Sequence, residues 1–433
     1  MKEAISICWF RRDLRLNDHA AFFHALSGDY PVLPIFIFDS GILNKLEDKQ
    51  DKRVAFIHRT LVKLQEEFVN KGGSIYVFHG SVEDAFEKLT SEFDVKSVYT
   101  NHDYEPYAIK RDLLVGQILS KKNIRFKTFK DQVIFEKSEI IKSDGSPYTV
   151  FTPFSRKWKE NLKDENYRSF PSENSLDKLY KTKPYTIPLL KDIGFQNIDL
   201  RIPELDISEQ KIKEYHNTRN LPSVDGTSMS SVHLRFGTVS VRHLVNIALK
   251  WNEQWLNELI WREFFMMILY HFPYVVNASF KKKYDQIQWR NNEDEFVKWC
   301  KGETGYPIVD AGMRQLNETG LMHNRVRMIT AGFLCKHLLI DWRWGEAYFA
   351  KKLLDYDLSA NNGNWQWAAG SGCDAAPYFR IFNPTAQTLK FDPKLSYIKK
   401  WIPGFRIDYM QQIVEHEFAR KRALDVYKRG VLE

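Results

Sequence analysis

The sequence predicts two unlike domains: an α/β N-terminal domain built on a five-stranded parallel, Rossmann-like sheet, and an all-α C-terminal domain. Three observations carry this prediction. The chain has 433 residues, more than one hydrophobic core normally supports. Residues 1–135 alternate short β-branched apolar runs with amphipathic helical periods. Beyond residue 200 strand patterns nearly vanish, and ten of the twelve tryptophans lie after residue 250.

The elements follow in order. Residues 4–10 read as a first strand, and 31–39 as a second, with Val32, Leu33, Ile35, Phe36, Ile37 and Phe38 apolar on both faces. Residues 53–70 carry a helical stripe of Val54, Phe56, Ile57, Leu61, Leu64 and Phe68, stopped by Gly72-Gly73. Strands at 74–78, 95–100 and 124–135 then alternate with helices at 82–93 and 108–120. Continuous apolar strands separated by helices imply a parallel sheet covered on both faces, with right-handed crossovers. Such sheets take ligands at the carboxyl ends of their strands. Here Phe10-Arg11-Arg12-Asp13-Leu14-Arg15 stands where a glycine-rich fingerprint would follow the first strand, which excludes a standard dinucleotide binder. Residues 136–200 are punctuated by Pro147, Pro153, Pro171, Pro184 and Pro188 and read as an inter-domain connection wrapped over the surface. Helical periods then recur at 204–219, 241–251, 255–271, 308–319, 324–339 and 346–354, so the second domain is expected to span 201–433.

An apolar share of 43% with 27% charged residues is ordinary for a globular chain. No run of about 18 apolar residues is present, so no membrane span is expected. The opening residues do not read as a secretory signal. Cys8, Cys300, Cys335 and Cys373 are far apart and form no CxxC, which points to a reducing, cytoplasmic setting without disulfides or structural zinc. Cys335-Lys336-His337 lacks partners at metal-ligand spacing and reads as core. The net charge of +8 points weakly to a polyanionic partner.

Four stretches can carry chemistry. Residues 355–367 place Asp355, Tyr356 and Asp357 before an Asn361-Asn362-Gly363 turn signal, then Trp365 and Trp367 around a glutamine. Acids, amides and indoles together can grip a planar polar ring; the same residues also suit an Asx-rich turn entering a buried helix. Asp225-Gly226-Thr227-Ser228-Met229-Ser230-Ser231 offers backbone N–H groups and hydroxyls to a phosphate, and equally a helix N-cap. In residues 255–264, Glu258, Trp261 and Arg262 share one helix face and can contact a nucleobase, or form a solvated pair beside a core Trp. In residues 322–328, Arg325 and Arg327 lie on different faces, while Asn324 and Met328 share one. Gly370-Ser371-Gly372-Cys373-Asp374-Ala375 matches GxGxxA by chance, since no strand precedes it. Without a Walker A, HExxH or Ser/His/Asp elbow, hydrolysis and phosphoryl transfer lose support. A site suited to a flat redox cofactor remains.

Together these stretches resemble the cryptochrome/photolyase family, and within it the class I cyclobutane-pyrimidine-dimer DNA photolyases. The likeness begins at residues 9–16 and is densest at 257–264, 304–310 and 323–384. It implies an N-terminal α/β domain and a helical domain holding a U-shaped FAD. By motif position, Tyr215 and the segment Thr227, Ser228, Met229, Ser230 and Ser231 resemble the residues around the phosphates and ribityl chain. Trp255, Arg262, Asn324, Arg327, Asp355, Tyr356 and Asp357 resemble pocket residues, and Asn361 the side chain beside flavin N5. Glu258, Trp261, Met328 and Trp367 resemble the lesion pocket, and Arg219, Arg325 and Gln387 the DNA-strand contacts. Trp365, Trp342 and Trp289 resemble the electron-hopping chain. The implied partner is damaged double-stranded DNA, met by a monomer with no membrane attachment. Met229 and Leu321 depart from the pattern, which usually has Arg and Trp there. Glu105 resembles a folate-antenna glutamate, but residues 275–277 do not match its usual counterparts, so folate, deazaflavin and flavin antennae stay open. A blue-light receptor, a DASH-type cryptochrome acting on single strands and a nonenzymatic nucleic-acid binder are the other readings. Asn361, the dimer-type lesion residues and the lack of a C-terminal extension favour the enzyme.

Overall fold

The computed structural model describes residues 2–406 and 409–432. Its contacts divide the chain into two interleaved compact units. The first comprises Met1–Glu139, Glu160–Leu205 and Met229–Lys250; the second comprises Ile140–Lys159, Asp206–Ser228 and Trp251–Glu433.

The first unit is built on five parallel strands in the order β3-β2-β1-β4-β5. These are β1 (Ala4–Phe10), β2 (Val32–Asp39), β3 (Tyr76–Gly80), β4 (Asp94–Asn101) and β5 (Arg125–Phe129). The central strand is buried on both faces, as its unbroken apolar run requires, with Trp9 in register with Ile35 and Thr100. Helices Lys52–Val69 and Val82–Glu92 start where Asp51 and Ser81 accept backbone N–H groups. A helix at Ala20–Leu26, unmarked by any long periodic run, is capped by His19.

The fifth strand ends at Phe129 rather than at 135. The physical reason is Asp131. It is drawn into a buried cluster, with Arg15 Nη2 at 2.7 Å and Arg242 Nη2 at 2.7 Å. Burial alone would raise its carboxyl, but Arg15 and Arg242 outweigh that and hold it well below the usual carboxylate range. Arg242 also donates to Asp18 at 2.8 Å, which ties the helix Val241–Trp251 to the loop after β1.

The second unit is helical. Its core gathers Trp299, Trp342, Trp365, Tyr306 and Phe349. Three expectations are corrected here. The Asn-Asn-Gly run at 361–363 is not a turn, because it lies inside the helix Leu358–Ala369. Asp357 supplies the cap by accepting from Ala360 N–H, and Gly363 allows close approach to Phe265, whose ring carbon would lie 2.2 Å from a Cβ there. The period at 204–219 splits into Glu209–Lys213 and Tyr215–Thr218, because Asn252 Nδ2 takes the carbonyls of Ile212 and Lys213 at 2.9 and 3.1 Å. The period at 324–339 is α-helical over Asn324–Gly332 and then loosens to a π-turn at Phe333–His337.

Residues 136–200 are more than a surface connection. They contain the helix Phe151–Asn161, which buries Phe154 and Trp158. Trp158 Nε1 donates to Glu263 at 2.6 Å. Among the described residues no helix is long and apolar enough to cross a membrane.

Candidate active site

The helix Leu358–Ala369 organises the site. Just before it, Asp355 receives two hydrogen bonds from Arg327 Nη2, at 2.8 and 3.1 Å. Arg327 is aimed by a second bond, from its Nε to the Met322 carbonyl at 2.7 Å. This charge-assisted contact, one guanidinium nitrogen shared between both carboxylate oxygens, joins the two partners in a partly buried wall. One turn into the helix, Asn361 Nδ2 donates to the Glu346 carboxylate at 2.8 Å and to its carbonyl at 3.1 Å. The amide nitrogen is thereby committed, and the amide oxygen is the end left for a ligand. Burial pushes the Glu346 carboxyl up, with the Asn361 bond opposing.

A cavity of about 90 Å³ opens against these groups. Its lining includes the polar side chains of Asn324, Arg327, Asp355, Asp357 and Asn361 and the apolar ones of Met328, Trp365 and Trp367. Acceptors, a guanidinium, a carboxamide and indoles lining one cavity match the amide-rich edge and apolar faces of an isoalloxazine ring. The donor set therefore fits FAD.

Other expected residues lie elsewhere in the second unit. Glu258 pairs with Arg219 at 2.6 Å and accepts from Gln254 at 3.1 Å. Burial pushes its carboxyl up despite Arg219. Arg219 also lies 5.5 Å from the Tyr215 ring centroid, and burial followed by Glu258 pushes the Tyr215 hydroxyl up. Trp261 is half-buried and stacked on Phe151, with centroids 3.7 Å apart and planes 5° from parallel. One indole face is thus taken. Arg325 is held by Asn220 at 2.6 Å and lies over Phe391. Gln387 carries a buried side-chain oxygen without a partner. Trp255 is buried, while Arg262 and Tyr356 are half-buried.

The phosphate-like segment divides between the units. Thr227 and Ser228 belong to the second unit, where Asp206 N–H donates to the Ser228 carbonyl at 3.1 Å. Met229, Ser230 and Ser231 belong to the first, Met229 with φ 54° just before the helix Ser230–Phe236. Trp365 and Trp342 are buried, and Trp289 packs half-buried on the same core. Glu105, in the first unit, is occupied by Arg12 at 2.7 Å and Arg235 at 3.2 Å.

Glu346 and Phe151 were missed by sequence reasoning. Glu346 lies 15 residues from Asn361 and could be found only by pairing two helices. Phe151 was hidden by the proline-rich character of its neighbourhood.

One chain thus carries a parallel-sheet unit and a helical unit whose cavity suits a flat, polar-edged ring. Residues 255–407 match the family model for the FAD binding domain of DNA photolyase, and residues 6–173 the model for DNA photolyase. The chain therefore belongs to the DNA photolyase family, and it is an FAD-binding enzyme. It is 34% identical to the deoxyribodipyrimidine photo-lyase of Alkalihalophilus pseudofirmus, over 98% of both chains. It is 36% identical to that of Escherichia coli, again over 98% of both. A class III photolyase from Agrobacterium tumefaciens superposes with TM-score 0.90 at 32% identity, covering 100% of this chain and 99% of that one. An archaeal photolyase from Sulfolobus tokodaii with two FAD molecules gives 0.81 at 32% identity, covering 98% and 99%.

Proposed function

We propose that this protein repairs cyclobutane pyrimidine dimers in damaged double-stranded DNA, using light. The observation that carries the reading is the shared cavity. Asn361, Arg327 and Asp355, suited to a flavin, face the same space as Met328 and Trp367, suited to a lesion. When bound and fully reduced, FAD supplies an electron on excitation and takes it back after the ring has split, so the reaction is a lyase reaction without net redox change.

The chain's own residues do the rest. Basic side chains hold phosphates without selecting sequence. A dimer is already poorly stacked, so flipping it out costs no more than a few kcal/mol. Trp367 and the half-buried Trp261 receive its apolar faces. Glu258 meets a base edge; its raised carboxyl retains a proton more readily than an ordinary glutamate and can donate to a base carbonyl. Asp355, Arg327 and Asn361 orient the cofactor, and the aromatic core excludes water from it. Trp365, Trp342 and Trp289 are the proposed route by which electrons reach the cofactor from outside.

The likeness to a class III structure, with Leu321 in place of the expected Trp, supports a second reading of the subclass. It leaves the reaction as proposed. The test uses flavin-loaded protein, reduced and mixed with a dimer-containing duplex. Blue light is expected to remove the dimers and darkness to leave them. Persistent dimers after confirmed flavin reduction would move the assignment to a light receptor.

A further inference from the structure

We infer that His323 is a further DNA-binding residue, which together with Arg325 grips one phosphate of the strand that carries the lesion. This deepens the reading above and rests on it for the presence of that strand.

His323 stands just before the helix Asn324–Gly332 and caps it, its Nδ1 accepting the Arg325 backbone N–H at 3.2 Å. That bond settles the tautomer. A ring nitrogen that accepts carries no proton, so a neutral ring holds its proton on Nε2. Burial first, then Arg327, Arg325 and Arg219, push the ring down to about 4, so it is neutral near pH 7. His323 therefore offers one N–H, and this Nε2 is buried without a hydrogen-bond partner. The residue as a whole is half-buried, so the group lies just beneath the surface. Buried N–H groups are almost always matched, and one left open beside a binding site calls for an acceptor from outside.

The three arginines that act on the ring differ in their commitments. Arg327 is paired with Asp355 at 2.8 Å, and Arg219 with Glu258 at 2.6 Å. Arg325 holds only the neutral Asn220 oxygen, at 2.6 and 3.2 Å, and lies 4.4 Å from the Phe391 ring centroid. Its charge is compensated by no carboxylate among the described residues. A neutral donor beside an uncompensated guanidinium is a donor set for an oxyanion.

The helix Pro384–Phe391 narrows the choice of oxyanion. Gln387 lies one turn before Phe391, so the two share the face turned to Arg325. Gln387 Oε1 is likewise buried without a partner. One unmatched donor and one unmatched acceptor thus stand at the same junction. An inorganic anion brings acceptors alone. A nucleotide brings both complements, a phosphate oxygen for His323 and a base N–H for Gln387. FAD carries the same two groups, and the cavity residue Asn324 is the next residue in the chain, so the experiment separates strand from cofactor.

The experiment uses the full-length, flavin-loaded protein at pH 8 in the dark, where a dimer-containing duplex is bound without being repaired. Fluorescence anisotropy of the labelled duplex gives the affinity from about 50 to 200 mM salt. FAD content and melting temperature are measured for each variant. His323→Thr keeps an oxygen to cap the helix and removes the ring donor; His323→Asn keeps the cap and restores an N–H. The threonine variant is expected to bind about tenfold more weakly, with FAD content and salt slope unchanged because the lost donor is neutral. The asparagine variant is expected to stay within about threefold of the parent. Arg325→Gln, by contrast, should lower the salt slope by about one. The inference is overturned if His323→Thr binds as the parent does. It is equally overturned if the slope of His323→Thr falls as in Arg325→Gln, since His323 would then only hold Arg325 in place. Loss of FAD in step with affinity overturns it too, and gives the N–H to the cofactor diphosphate. A parent that fails to bind the dimer-containing duplex would overturn the underlying reading, and the phosphate contact with it.

Discussion

At the residue scale the site works by orienting side chains before any ligand arrives. Asn361 can present either end of its amide to a cofactor, and Glu346 decides which. Glu346→Gln keeps a side-chain acceptor for that amide, whereas Glu346→Ala leaves it only the backbone carbonyl and forfeits about 1–2 kcal/mol of orientation. The alanine variant is expected to retain less FAD per protein on gel filtration, and the glutamine variant to stay near the parent. Glu258 has a different task, because its ion-pair partner is Arg219 rather than a cavity residue. Glu258→Ala is expected to lower repair yield by about tenfold or more while leaving the FAD absorbance unchanged. Equal loss of both would contradict a lesion-side role. His337 gives a pH prediction. Burial first, then His416, Arg422 and Lys336, push its ring down to about 3. Between pH 6.5 and 3 the unfolded chain therefore binds a proton that the folded chain refuses. Stability from this group is complete above pH 6.5 and is lost as pH falls towards 3, by a few kcal/mol at most, roughly 3–5. Denaturation midpoints of His337→Phe measured from pH 7 to 4 should fall less steeply than the parent's.

At the element scale, close approach matters more than propensity. Gly345, in the helix Trp342–Lys352, lets Trp365 and Leu334 pack against its backbone, where a Cβ would lie 2.2 and 2.5 Å from their side chains. Gly345→Ala would ordinarily favour a helix. Here it is expected to destabilise by about 1–3 kcal/mol through overpacking, seen as a lower urea midpoint, and to disturb Trp365. Much of the first unit was legible because its strands are apolar without interruption, the signature of a sheet covered on both sides. The end of β5 was not legible, since Asp131 leaves the sheet for Arg15 and Arg242, residues 116 and 111 positions away. The break in 204–219 was equally hidden, because the competing donor is Asn252. Asn361-Asn362-Gly363 has turn composition, yet Asn362 spends its amide on the Val275 carbonyl and Gly363 accommodates Phe265. Local signals lost to tertiary contacts in each case.

At the scale of the whole molecule, the two compact units are interleaved along the chain. The segment 229–250 joins the sheet unit through Arg242 and Ser240, both of which reach Asp18 across more than 220 residues. No local pattern announces such a pairing. The proposed cofactor side could be named from the sequence because its residues cluster in a short stretch, 355–367, with Arg327 and Asn324 nearby in sequence, and the same residues line one cavity. The lesion side was less so, because the Phe151 backing of Trp261 comes from a distant segment. The central claim is that one cavity serves both a reduced flavin and a flipped dimer. It is tested most directly by the fluorescence of the reduced, protein-bound flavin during titration with a dimer-containing oligonucleotide and with its undamaged twin. Quenching by the damaged strand alone, diminished in Trp367→Ala, is the predicted result. Equal quenching by both strands, or none by either despite binding, would contradict it.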